Sequence, residues 1–243
     1  MNVGVNCDMG ESFGIYTLGR DEDLMRHITA ANVACGFHAG DPTVMANTIG
    51  AAKRHGVAVG AHPSLPDRQG FGRREMQLHP DELESLLTYQ VGALNGFLDA
   101  EGMDLHHVKV HGALYGMTAR DAELAAVVCR VARAFDVPVY GMAGTMHETS
   151  AVDNGVEFIS EYYADLDYAA DGSLIISRTH GAVITSEAAR RARRAIREGL
   201  VESVEGPDIV VRADTVCVHS DTPNAVELAA AVSAVVSEEN TTR

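Results

Sequence analysis

The sequence predicts an α/β fold, a single-domain (β/α)7-type barrel of parallel strands. Strand-like apolar runs alternate with helix-like segments along the whole chain of 243 residues. No Pro/Ser-rich or charge-block linker divides it, which indicates one domain over residues 1–243. About seven such units in one domain favour a closed barrel, and an open doubly wound sheet is the alternative.

Short runs rich in valine and alanine, bounded by turn residues, are the predicted strands. In chain order they cover residues 2–7, 31–35, 57–61, 105–110, 137–141, 156–159 and 209–218. Segments with apolar residues at three-to-four spacing are the predicted helices. They cover residues 21–29, 42–55, 80–100, 119–135, 145–153, 186–199 and 223–237. Pro42, Pro80 and Pro223 are expected at first helical positions, where a missing N–H costs nothing.

Polar side chains follow one face of several predicted strands. Successive strand residues point to opposite faces, and the first three strands pair an apolar face with a face of small residues. The small-residue faces end at ionisable groups, and the fourth and last strands carry others in the same phase: Asp8, His38, His62, Lys109, His111 and His219. Because the carboxyl ends of parallel strands meet at one mouth, these groups and Asn6 are expected around one cavity. The small residues are expected to leave room there for a ligand.

Composition restricts the class of protein. The formal net charge of -15 argues against nucleic acid and anionic membranes as partners. The N-terminal residues lack a signal-peptide pattern, and no long apolar run follows, so a cytoplasmic location is expected. The four cysteines are far apart and show no Cys-x-x-Cys spacing, so neither a disulfide nor a cysteine zinc site is expected.

Several long motifs together resemble one family. They are Asn-Cys-Asp-Met-Gly-Glu at 6–11, Ala-Asn-Val-Ala-Cys-Gly-Phe-His-Ala-Gly-Asp-Pro at 31–42, Gly-Ala-His-Pro-Ser at 60–64, Gly-Phe-Gly-Arg-Arg at 70–74, His-Val-Lys-Val-His-Gly-Ala-Leu-Tyr at 107–115 and Thr-Val-Cys-Val-His at 215–219. In this order they resemble the LamB/YcsF family over nearly the whole chain. The sequence departs from the family pattern, which has Pro, Asn, Arg and Gly where this chain has Val110, Gly116, Leu166 and Ser220.

The resemblance implies a variant barrel like that of glycoside hydrolases and polysaccharide deacetylases. It also implies a hydrolase that opens the lactam 5-oxo-L-proline to L-glutamate with ATP as co-substrate, and 5-oxoprolinase subunits B and C as partners. No Gly-x-x-x-x-Gly-Lys-Ser/Thr loop occurs in the chain, so ATP is expected to bind mainly to the partner subunits. This chain would then hydrolyse the activated lactam as a single catalytic domain.

The resemblance and the strand phase together imply two sets of site residues. The expected catalytic residues are Asp8, His38, His62, Lys109 and His111, and the expected substrate-binding residues are Asn6, Glu11, Asp41, Asp67, Arg73, Arg74 and His219. Asp8 or His62 would be the general base, and His38 or His219 would protonate the leaving nitrogen. Lys109 and His111 would stabilise negative charge. Arg73 and Arg74 would pair with the substrate carboxylate, or alternatively belong to a solvated loop or a subunit contact. Association of the chain into a homo-oligomer is also left open.

Two other functions remain open from the sequence. A metal-dependent deacylase on the same scaffold would use Asp8, His38 and His62 as ligands of a divalent metal. A non-catalytic subunit would use the same strand-end groups only to bind a small molecule. Each of these side chains taken alone is also explained as an ordinary loop histidine or surface cation.

Overall fold

A computed structural model of the protein describes residues 2–175 and 181–242. Its strands are β1 (Gly4–Met9), β2 (Ala30–Ala34), β3 (Ala58–His62), β4 (Leu105–Val108), β5 (Val139–Gly141), β6 (Phe158–Tyr163), β7 (Asp167–Tyr168), β8 (Leu174–Ile175), β9 (Leu200–Glu202), β10 (Asp208–Val210) and β11 (Thr215–His219). Its helices are α1 (Asp21–Leu24), α2 (Pro42–His55), α3 (Pro80–Glu101), α4 (Ala113–Arg120), α5 (Ala122–Ala134), α6 (Met146–Asp153), α7 (Thr185–Glu198) and α8 (Ala225–Thr242).

Seven parallel strands close into a barrel within the described residues. Their order around the barrel is β1, β11, β6, β5, β4, β3 and β2, which returns to β1. The strands β7 and β8 form one small antiparallel pair, and β9 and β10 form another. The predicted α/β barrel is therefore confirmed, and the open sheet is excluded.

Local sequence signals set the ends of several helices. Pro42 and Pro80 lie at the first turn of α2 and α3, as predicted. Gly56 and Gly102 end the same helices in the left-handed conformation, with φ of 68° and 66°, which glycine adopts without strain. None of the helices in the described part of the chain is long and apolar enough to span a membrane.

Some predicted boundaries are wrong. The helix predicted over 119–135 is two helices because Asp121 caps α5, its side chain accepting hydrogen bonds from the backbone N–H groups of Glu123 and Leu124. The strand predicted over 209–218 is split into β10 and β11. The helix predicted over 21–29 ends at Leu24. Pro223 precedes α8, which begins at Ala225. The small strands β7, β8 and β9 have too few residues to show a period.

Side chains from β4 and from the residues that follow it point into the barrel and occupy its interior. His107, Lys109 and His111 are all buried and follow one another toward the mouth. The ring of His107 lies so close to β3 that a Cβ atom on Gly60 would be 2.2 Å from it, which requires glycine there. At this depth the small residues leave no room for a ligand, because large polar side chains occupy the space beside them.

The outward face of the barrel strands packs under the helices. Val5, Val33, Val59 and Val216 are at most 1% exposed and belong to the hydrophobic core. The four cysteines are buried free thiols. This apolar layer fixes the strands rigidly, so the groups at their carboxyl ends have defined positions.

Candidate active site at the barrel mouth

A buried lysine with two carboxylate partners lies at the centre of the barrel. The ammonium nitrogen Nζ of Lys109 is 2.9 Å from Oδ1 of Asp8 on β1 and 2.8 Å from Oε1 of Glu161 on β6. It also lies 3.1 Å from Sγ of Cys217. Burial alone would lower the pKa of Lys109, but the charges around it, above all Asp8, raise it well above its ordinary value. Lys109 is therefore a cation at neutral pH.

Asp8 connects this lysine to two histidines. Its Oδ1 accepts hydrogen bonds from Lys109 and from Nδ2 of Asn32, the latter at 2.8 Å. Its Oδ2 lies 3.3 Å from Nε2 of His62 and 3.8 Å from Nε2 of His219. Burial would raise the pKa of Asp8, but the charges of His62 and Lys109 lower it well below its ordinary value. Asp8 is thus an anion with one oxygen directed to the histidines.

His219, the last residue of β11, carries a proton across the neutral pH range. Its Nδ1 lies 3.0 Å from Oδ2 of Asp165, whose carboxylate also accepts a hydrogen bond from the backbone N–H of His219 at 2.8 Å. Burial would lower the pKa of His219, but Asp165 raises it to about 9. An imidazolium with a fixed carboxylate partner is suited to act as a general acid.

Three further histidines form a compact cluster beside Asp8, and Glu11 completes it. The rings of His38 and His111 are stacked with centroids 3.8 Å apart, and His62 meets both rings edge to face. Oε1 of Glu11 lies 3.2 Å from Nε2 of His38. Burial lowers the pKa of both His38 and His111 well below the ordinary value and raises the pKa of Glu11. This group of Glu11, His38, His62 and His111 is called the histidine cluster below.

A cavity opens over these groups at the carboxyl ends of the strands. Its lining residues are Asp8, His62, Arg73, Lys109, Val110, His111, Gly112, Tyr115, Tyr163, Leu166, Leu174 and His219. Its free volume is about 30 Å³. A larger cavity of about 590 Å³ shares Tyr115 and Leu174 with it and reaches Glu161. The small cavity over the polar groups therefore adjoins a much larger one.

The structure brings most of the predicted site residues together. Asp8, His62, Lys109, His111, His219 and Arg73 line the cavity. Asn6 lies beneath it and is 3.4 Å from Nζ of Lys109, while Glu11 and His38 lie behind His111. Arg73 forms an ion pair of 2.8 Å with Asp221. Val110 and Leu166, two positions where the sequence departs from the expected family pattern, also belong to the lining.

Five predicted substrate-binding residues lie outside the cavity lining, and three of them, Asp41, Asp67 and Arg74, make other structural contacts. Asp41 caps α2 by accepting hydrogen bonds from the backbone N–H groups of Thr43 and Val44. Asp67 is buried and forms an ion pair with Arg74, whose side chain is 55% exposed. These contacts hold a helix and a loop in place, and they give no support to a direct role in binding the substrate.

The sequence prediction missed three polar residues of the site. Asn32 lies on the inner face of β2, in the phase already assigned, but was not selected. Glu161 lies beyond the predicted end of its strand, because the polar residues of β6 interrupt the apolar run. Asp165 is in the loop after β6 and shows no pattern of its own. Extending the strand phase past the apolar residues finds Glu161 but not Asp165.

Fold and site together define a parallel β/α-barrel protein with a buried lysine and carboxylate centre at its mouth. The sequence profile of the LamB/YcsF family matches residues 3–243. A protein of Bordetella pertussis that is named as the A subunit of 5-oxoprolinase is 46% identical over 231 residues, which cover 93% of this chain and 92% of that protein. A lactam utilization protein of Emericella nidulans is 45% identical over 241 residues, 97% of this chain and 94% of that protein.

A solved structure agrees with these relatives. The crystal structure of the lactam utilization protein from Thermus thermophilus superposes with a TM-score of 0.90 at 43% identity, and covers 98% of this chain and 97% of that one. The chain therefore belongs to the LamB/YcsF family, as its motifs predict.

Proposed function

We propose that this chain is the hydrolytic subunit of a 5-oxoprolinase and opens activated 5-oxoproline to glutamate. The observation that carries the proposal is the pairing of an anionic Asp8 with a protonated His219, 3.8 Å apart on one cavity wall above Lys109. The names of the relatives, which refer to 5-oxoprolinase and to lactam utilization, support the choice of a lactam as substrate.

Opening a lactam needs three events, and Asp8 and His219 supply two of them. Water must lose a proton as it attacks the carbonyl carbon, the carbonyl must be activated, and the ring nitrogen must be protonated as the C–N bond breaks. Oδ2 of Asp8 takes the proton from water, and Nε2 of His219 gives its proton to the nitrogen. Lys109 holds Asp8 in its ionised form and in position.

The charge state of Asp8 explains why the substrate must arrive activated. A carboxylate whose pKa is well below its ordinary value is a weak base, and a weak base deprotonates water effectively only when the electrophile is strong. Phosphorylation of the amide oxygen by ATP makes the carbon such an electrophile. After water adds and the C–N bond breaks, the product is glutamate with its side-chain carboxyl held as an acyl phosphate, and a second water molecule hydrolyses that bond to release phosphate and glutamate. Since the chain has no common phosphate-binding loop, partner subunits B and C carry out this step.

The substrate carboxylate is assigned to Arg73, whose guanidinium lies at the cavity wall. The lactam enters through the larger cavity, and the side chains of Tyr115 and Leu174 move to admit it. Departures from the family pattern at Val110 and Leu166 shape the same wall, so they are expected to tune which lactam is accepted.

The division of labour is tested by assaying the purified chain alone and then with its partner subunits. Alone, it is expected to show no 5-oxoproline-dependent ATP hydrolysis and to form no glutamate. Addition of the partner subunits and ATP is expected to restore glutamate formation, measured together with phosphate release. Robust 5-oxoproline-dependent ATP hydrolysis by the single chain would show that the ATP step was assigned to the wrong polypeptide.

The pH dependence of the rate is expected to follow His219. Its pKa of about 9 lies above the ordinary histidine value, so the acid form persists at neutral pH and is lost as the pH rises through 9. The kcat of the complete system should therefore fall on an alkaline limb near pH 9. Asp165→Asn removes the charge that raises this pKa, so the limb should move to lower pH.

Asp167→Asn is the matched control for this measurement. Asp167 lies two positions further along the chain, is 62% exposed and pairs with Arg191 instead of a histidine. Its removal should leave the alkaline limb in place. An unchanged limb in Asp165→Asn as well would rule out His219 as the acid.

A further inference from the structure

We propose that Glu11, His38, His62 and His111 form a binding site for one divalent cation of the zinc type. One ligand atom from each residue lies within 4.8 Å of the others, and all four residues are buried. His62 and His111 also line the cavity beside Asp8, but the proposal does not depend on the assignment of Asp8 and His219 to lactam opening. Its ligands also differ from the set of Asp8, His38 and His62 expected from the sequence.

Backbone carbonyl groups fix the tautomers of two of these histidines. Nδ1 of His62 lies 2.7 Å from the carbonyl oxygen of Lys109, and Nε2 of His111 lies 2.8 Å from the carbonyl oxygen of Phe71. A carbonyl oxygen only accepts, so both of these nitrogens carry hydrogen. A metal-binding histidine usually donates the N–H of its other ring nitrogen to a carbonyl or carboxylate in this way.

The remaining nitrogens of the two rings face each other. Nε2 of His62 and Nδ1 of His111 are 2.9 Å apart. When both rings are neutral, each of these nitrogens presents a lone pair, and two lone pairs at this distance repel each other. A proton on Nε2 of His62, which is also 3.3 Å from Oδ2 of Asp8, gives the charged ring that acts on Asp8. A shared proton or a shared cation removes the repulsion.

The other donors favour the cation. Oε1 of Glu11 lies 3.2 Å from Nε2 of His38 and 3.6 Å from Nδ1 of His111. Ligands at 2.0–2.1 Å from a tetrahedral zinc ion are about 3.3–3.4 Å from one another, so these separations fit with small adjustments. Among the described residues, Nδ1 of His38 is buried without a hydrogen-bond partner, so no hydrogen bond at this atom fixes the orientation of its ring.

The kind of ion follows from the donors and from their surroundings. Three imidazole nitrogens and one carboxylate suit zinc and similar first-row metals better than magnesium or calcium, which prefer oxygen ligands. A second cluster of Asp8, Cys217 and His219 also has ligand-like spacing. Lys109 lies 2.9 Å from Asp8 and 3.1 Å from Cys217, so its positive charge disfavours a metal there.

The test is zinc binding by the untagged chain after treatment with a chelator. Titration calorimetry with zinc chloride, with elemental analysis after dialysis, should find one zinc ion per chain. His38→Gln and His111→Gln should each weaken binding by at least about a hundredfold, since even changes to the residues that orient metal ligands cost up to that much. His79→Gln is the control, because His79 is 75% exposed and outside the cluster, and it should bind as the wild type does.

A second readout uses the unaltered protein and covers the case in which the variants do not fold. Cobalt(II) bound by four such ligands gives strong visible absorption, whereas cobalt(II) in a six-coordinate site or in water gives weak absorption. One equivalent of strong absorption, displaced by zinc, supports the site. Wild-type zinc binding below half an equivalent, or equal binding by folded His111→Gln, would overturn it and leave a shared proton as the bridge between His62 and His111.

Discussion

Lys109→Met is expected to slow glutamate formation by the complete system at least about a hundredfold. The change removes the cation that two buried carboxylates share, so Asp8 no longer remains ionised and in place. Methionine retains most of the volume of the lysine stem, which limits the loss of packing. The measurement is the rate of glutamate formation with saturating ATP and partner subunits.

Stability must be measured in the same variant. Removing one partner of a buried ion pair typically costs about 3–5 kcal/mol, so Lys109→Met should also lower the free energy of unfolding. Adding Glu161→Gln removes one of the two orphaned charges and should restore part of the stability without restoring the rate. Lys53→Met alters the other lysine of the chain, which pairs with Glu101 at the surface, and should preserve both. Wild-type turnover by folded Lys109→Met would contradict a role for this cation.

Asp8→Asn is expected to lower the rate of glutamate formation by about 10²–10⁴-fold, the usual contribution of a general base. Asparagine has nearly the same shape but cannot take a proton from water. The variant should still form a complex with the partner subunits, and circular dichroism should show an unchanged fold.

Asp121→Asn is the matched control for Asp8. Asp121 caps α5 away from the cavity lining, and asparagine caps helices about as well as aspartate. Its activity and stability should therefore be close to those of the wild type. Full activity in Asp8→Asn would mean that another group accepts the proton from water.

Much of the site was predictable because successive side chains of a strand point to opposite faces. Lys109 and His111 face inward because they continue the alternation of β4, and Asp8 does so on β1. His38 is a different case. Its strand ends at Ala34, and the chain reaches His38 through a turn in which Gly36 has φ of 90°. The alternation of strand residues predicted correctly that His38 lies on the cavity side of the barrel. The turn after β2, which the alternation does not describe, determines where His38 lies there.

Other parts of the site depend on contacts that a local pattern does not contain. Glu161 forms an ion pair with Lys109, which follows β4, and no residue near Glu161 in the sequence indicates that partner. Asp165 belongs to the site because it pairs with His219, which lies far from it in the sequence. The filling of the barrel interior also follows from side-chain volumes across the barrel, where His107 occupies the space that Gly60 leaves. Such pairings require the three-dimensional arrangement of the strands.

A crystal structure of the Asp8→Asn variant with 5-oxoproline tests most directly whether the barrel mouth is where the lactam is opened. The lactam is expected in the cavity between His111 and His219, with its ring nitrogen next to Nε2 of His219 and its carboxylate at Arg73. A lactam bound only in the larger cavity, or elsewhere on the protein, would contradict the assignment of the site.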